Sequence, residues 1–197
     1  MVERIVGVFK LNRATFKEIE ADETATTQAA IIVAIVGLLA GFGAAIGAVI
    51  ANRAMGNILP QLEDSLGSLA IDIPTLSPIG AFLNGLIGAF LAWILWSALT
   101  YFIGTRLFKG DSSFNEMLRL LGFAQAPRLL AVFGFIPCLG GILGLVGWIW
   151  SLVASYIAVK EGLDLDDGKT ILTVVISFVV VIVINVFVLG PVLALIM

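Results

Sequence analysis

The chain has 197 residues, of which 60% are hydrophobic and only 13% charged, with a formal net charge of −3, one cysteine and no histidine. So little charge excludes an ordinary water-soluble domain. A lone cysteine excludes an internal disulfide, the lack of histidine removes the commonest metal ligand, and no basic patch offers itself to nucleic acid.

Residues 1–27 form a hydrophilic tail in which Arg4, Lys10, Arg13 and Lys17 alternate with Glu3, Glu18, Glu20, Asp22 and Glu23. The spacing of Phe9, Phe16 and Ile19 predicts one or two short helices at the membrane surface with their aromatic rings dipped inward. Composition alone also allows a disordered tail. The first long apolar run begins near Ala29 and exceeds the length of a signal peptide's apolar region, so it is taken as a retained first span.

Four stretches lack Asp, Glu, Lys and Arg: 24–52, 73–105, 129–159 and 170–197. A crossing needs about 20 predominantly apolar residues. The first span, about 28–51, carries Gly37 with Gly41 and Gly43 with Gly47, spacings that allow close helix packing within the chain. A polar loop follows over Asn52 to Pro78, with a short amphipathic helix expected over Gln61 to Leu69. The second span, about 79–105, places Trp93, Trp96 and Tyr101 toward its end, where aromatic rings favour the interface.

Ser113 with Glu116 has the spacing of a capping box, so a helix is expected from Phe114. The segment to Ile136 contains Arg119 and Arg128 and is the one long apolar stretch with charge inside it. Either it crosses as a third span over about 117–136, or it lies flat and the number of crossings falls to four. The fourth span is expected over about 139–159 and the last over about 170–190, with Asn185 as a polar group within it.

Five crossings put the tail, the loop at Lys109 and the loop from Lys160 to Lys169 on one side. That side then holds nearly all the loop basic residues, against Arg53 opposite, which makes it cytoplasmic and the C-terminus external. Arg128 would lie about 13 Å deeper than Arg119 at 1.5 Å per residue. An unpaired arginine there costs at least about 2.5 to 3.5 kcal/mol. Gln125 can accept from it, and Pro127 removes a main-chain donor and frees the carbonyl of Phe123. Two readings remain: a polar break that faces other helices, or a side chain that snorkels to the headgroups.

The expected architecture is therefore an all-α polytopic membrane bundle of five helices with a broken third one. A cytoplasmic amphipathic tail over 1–27 precedes a membrane domain over 28–197. The candidate polar, lipid or substrate site comprises Arg119, Gln125, Pro127 and Arg128, with Glu116 and Asn185 as secondary candidates. No catalytic constellation, metal site or cofactor is expected. Expected partners are membrane lipids, other membrane proteins or further copies of the chain.

The run LLGFAQAPRLL followed by FIPCLGGILGLVGWIWSLVASYIAV, behind a hydrophilic tail and among five closely spaced spans, resembles the Yip1 domain family. The positions that carry the likeness are Gly122, Phe123, Ala124, Pro127, Pro137, Gly140, Trp148 and Trp150. Eukaryotic members are associated with vesicle traffic and interact with Rab GTPases through long cytosolic N-terminal regions. This short tail is more similar to compact prokaryotic members, so Rab binding is not implied. The resemblance implies a non-enzymatic scaffold or adaptor in membrane organisation, whereas Arg128 in a broken helix suggests a small transporter, channel or lipid-binding protein.

Overall fold

A computed structural model describes residues 1–66, 75–136, 139–184 and 186–187, and the described residues are helical throughout apart from short connections. Pro137, Cys138, Asn185 and the expected end of the last span lie outside them. The elements are α1 (Val2–Phe9), α2 (Arg13–Ala21), α3 (Ala25–Leu66), α4 (Pro78–Phe108), α5 (Phe114–Phe123), a 3-10 helix (Ala126–Phe135), α6 (Leu139–Leu163) and α7 (Asp167–Ile184).

Four of these helices, α3, α4, α6 and α7, are long and apolar enough to cross a membrane. Their outer faces are apolar too: Phe42, Ile46 and Ile50 on α3 are 58%, 61% and 60% exposed. A surface of that kind suits lipid rather than water, and the molecule is an integral membrane helix bundle.

Local chemistry explains the helix ends. Ser77 caps α4 by accepting from the main chain of Gly80, and Pro78 follows where its missing N–H costs nothing. Lys109 ends the same helix at φ 59°, its N–H donating to the carbonyl of Gly104. Ser113 and Glu116 form the expected capping box at the start of α5.

α3 differs from its expected span. It runs on through Asn52, Arg53 and Pro60 to Leu66, so most of the anticipated loop is helix. The Gln61 side chain donates to the carbonyl of Asn57, near the proline. The connection between α6 and α7 is likewise only residues 164–166, shorter than the expected loop from Lys160 to Lys169.

The two glycine pairs on α3 have different surroundings. A Cβ on Gly85 of α4 would fall 2.7 Å from the Cα of Gly41, and one on Gly37 would fall 3.1 Å from the Cβ of Ala89. Gly37 and Gly41 therefore seat α4 against α3, backbone to backbone. Gly43 and Gly47 face open space.

The centre of the bundle is α5 and the turn after it, where every residue from Arg119 to Pro127 is buried. The segment runs antiparallel to α6 along most of that helix's length. Gly162 takes the side chains of Leu120 and Met117, Gly147 faces the carbonyl of Pro127, and Gly140 lies against Gly134. From Gly162 to Gly140 is about 33 Å of helix at 1.5 Å per residue. The connection after α4 meets the far end of α6, where the N–H of Asp111 donates to the carbonyl of Leu163 at 3.2 Å.

The tail belongs to the same core. Val8, Phe16 and Ile19 are fully buried among Met117, Leu120, Phe123 and Leu163. Phe16 and Ile19 thus point into protein, not into lipid as the amphipathic pattern had suggested. α2 is further pinned to the end of α6 by Lys17, which reaches Asp164 at 2.8 Å and the carbonyl of Glu161 at 2.5 Å.

Candidate functional site

The structure divides the candidate residues into two groups. Arg119 and Glu116 belong to the docking of the tail. Arg119 is 6% exposed, and its Nε donates to the main-chain carbonyl of Glu20 at 2.9 Å, with Nη2 donating to the same oxygen. That carbonyl lies in the last turn of α2, where helix carbonyls lack internal partners and attract a cation. Glu116, one turn before Arg119, lies 3.9 Å from its guanidinium and is otherwise held by the capping box.

Gln125, Pro127 and Arg128 form the second group, deeper in the bundle. α5 stops at Phe123, and the chain continues as a 3-10 helix with Pro127 in its first turn. A ten-residue 3-10 helix is unusually long, because its hydrogen bonds are poorer than those of an α-helix. Its narrow cross-section suits the close approach to α6: a Cβ at Gly147 would lie 2.5 Å from the Pro127 carbonyl oxygen.

Arg128 is half-buried and no carboxylate among the described residues pairs with it. Among the described residues its side chain makes one hydrogen bond, from Nη1 to Oε1 of Gln125 at 3.4 Å, at the long limit of such a contact. Gln125 itself is 8% exposed. Two cavities meet at this arginine. One, of about 200 Å³, is lined by Gln125, Arg128, Trp93, Trp96 and small residues of α3 and α4. The other, of about 180 Å³, lies between α3, the 3-10 helix and α6. Val36 and Ala40 of α3 belong to both walls.

Two tryptophans expected at the lipid interface are part of this interior instead. Trp93 is 5% exposed and its indole N–H donates to the carbonyl of Leu118 at 2.9 Å. Trp96 packs its ring on Phe178 of α7 at 5.9 Å, and its indole nitrogen is buried without an acceptor among the described residues. The spacing of Trp93, Ser97, Thr100 and Gly104 marks the buried face of α4 and was open to view as a helical stripe. Nothing in it points to a role for Trp96 beside Arg128, because that proximity is tertiary.

Ser97 and Thr100 of α4 and Ser177 of α7 also bury hydroxyls without a partner among the described residues. Small hydroxyl residues at a helix contact suit close packing in a membrane.

Searches of curated proteins and of solved structures returned no match. The family model for the Yip1 domain matches residues 6–189, which takes in the docked tail, the glycine-seated pair α3 and α4, the buried segment at Arg128 and the helices after it. By that match the chain belongs to the Yip1 domain family.

Proposed function

We propose that this protein is a non-enzymatic scaffold or adaptor in membrane organisation, with five crossings and its N-terminal helices on the cytoplasmic face of a prokaryotic cell membrane. The observation that carries the reading is the docking of α2 on α5 and α6 through Phe16, Ile19 and the Arg119 bond to Glu20. A pair of charged helices held rigidly on a lipid-embedded bundle presents a fixed surface to partners, unlike a mobile tail.

Five crossings are supported by the antiparallel run of residues 117–134 beside α6 and by the meeting of Asp111 with Leu163. A segment lying flat would leave α6 beginning, not ending, next to the connection after α4. The tail's four basic residues support its cytoplasmic placement and an external C-terminus.

The scaffold reading is tested by affinity isolation from native membranes in mild detergent. Wild type should bring a defined, saturable set of membrane proteins or further copies of itself. Reversing two exposed tail charges, Lys10→Glu with Glu23→Lys, should diminish that set without affecting insertion. A protein that is solitary in both forms contradicts the reading.

The niche at Arg128 favours a second reading, a small transporter, channel or lipid-binding protein. Flux in proteoliposomes with Arg128→Ala beside wild type tests the transport form, and flux that ignores the substitution removes Arg128 from it.

A further inference from the structure

The geometry points to a phosphate-binding site at Arg128, Gln125 and Trp96, open to the headgroup of an anionic phospholipid or to a free phosphate. This inference deepens the second reading above and rests on Arg128 facing the interior of the bundle.

The donor inventory is lopsided. A guanidinium offers five N–H donors, yet among the described residues that of Arg128 makes a single long contact, to Gln125. The same cavity is walled by Trp96, whose indole N–H has no acceptor among the described residues. The amide nitrogen of Gln125, oriented by the contact of its oxygen with Arg128, adds a further donor without a partner there. No carboxylate lines either cavity beside the arginine. Donors gathered around a positive charge with no anion of their own are the complement of an oxyanion, and the planar fork of arginine matches phosphate.

The niche lies deep in the bundle: Gly147, which faces Pro127, is 16 residues, or about 24 Å, along α6 from Leu163 at the end where α2 docks. Gly85 forms part of the cavity wall and also part of a larger, mainly apolar groove of about 670 Å³ between α3 and α4. That groove suits the acyl chain of a lipid whose phosphate reaches the niche.

The test is thermal unfolding and native mass spectrometry of the delipidated, purified chain titrated with phosphatidylglycerol, with diacylglycerol of the same chains, or with inorganic phosphate. Wild type should be stabilised and retain lipid with phosphatidylglycerol but not with diacylglycerol. Arg128→Gln should weaken that binding on the order of tenfold or more, as loss of a charge-assisted contact does. Trp96→Phe removes only the N–H and should weaken it less, and Arg106→Gln, an exposed basic control, should leave it unchanged. Stabilisation by inorganic phosphate that Arg128→Gln abolishes would support the phosphate site and assign it to a soluble anion.

If Arg128→Gln fails to fold, the wild-type comparison and Trp96→Phe still decide. Equal stabilisation by phosphatidylglycerol and diacylglycerol, with no response to inorganic phosphate, overturns the site. Lipid binding in Arg128→Gln equal to wild type does the same. Either failure would leave the partner isolation untouched, so the scaffold reading falls or stands separately.

Discussion

Arg119 on α5 donates to the main-chain carbonyl of Glu20 on α2, two residues 99 positions apart in the chain. The bond spends a buried charge on a helix end, so this arginine holds the tail in place and is not part of the niche at Arg128. The family's compact membrane domain here includes its own N-terminal cap.

Arg119→Met should consequently lower stability by about 1–3 kcal/mol, because the Glu20 carbonyl is left without its donor. Cleavage by trypsin within residues 4–17 should accelerate, as docking of α1 and α2 weakens. Arg119→Lys keeps the charge but not the two-armed donation and should fall between. Limited proteolysis with detergent-solubilised protein checks this, and unchanged tail protection in Arg119→Met would contradict the docking role.

The contact of α3 with α4 predicts opposite outcomes for neighbouring glycines. Gly85→Ala puts a methyl group 2.7 Å from the Gly41 Cα, an overpacking that should cost about 1–3 kcal/mol. Gly47→Ala and Gly43→Ala meet nothing within 4 Å and should be neutral or stabilise by up to about 1 kcal/mol through helix propensity. Melting temperatures of the three variants provide the comparison. Equal destabilisation by all three would mean that Gly43 and Gly47 are also packed, for instance against another copy.

Those glycines also illustrate what could be read before folding. The small-residue spacing in α3 announced close packing, but Gly37 with Gly41 and Gly43 with Gly47 are alike as patterns, and only the position of α4 separates them. The helix start at Phe114 was legible because Ser113 caps locally, whereas the Ser77 cap starts α4 at Pro78, one residue before the expected span. The extension of α3 past Ala51 was not, since Asn52, Arg53 and Pro60 look like loop residues and polarity does not itself end a helix outside the apolar layer. Phe16 and Ile19 read as one apolar face in the sequence, yet such a face has the same spacing whether it meets lipid or protein. At the candidate site, Gln125 and Arg128 were local neighbours and could be paired from spacing. The separation of Arg119 from them, and the arrival of Trp96, depend on contacts between distant segments.

Acid should loosen the tail in a defined window. The Asp22 carboxyl is held at about 2, down from 3.8, by the Thr24 hydroxyl first, then by the Arg4 guanidinium and the Thr24 main-chain N–H. A depressed carboxyl contributes stability that is present above its unfolded pKa and is lost as pH falls through the folded one. Asp22→Asn removes that contribution. The gap in melting temperature between wild type and Asp22→Asn should thus be constant at neutral pH and close between about pH 4 and 2. A gap that stays open at the acid end would show that the Arg4 and Thr24 contacts do not act through the carboxylate.

The number of crossings remains the most direct test, because it decides whether the segment from Phe114 to Ile136 passes through the membrane beside α6. Single cysteines at Lys10→Cys, Asp164→Cys and Met197→Cys, each with Cys138→Ala, would be treated with a membrane-impermeant maleimide in intact and in permeabilised cells. Lys10→Cys and Asp164→Cys should label only after permeabilisation, and Met197→Cys in intact cells. Labelling of Met197→Cys on the same side as Lys10→Cys would contradict five crossings, and with them the placement of Arg128 inside the bundle.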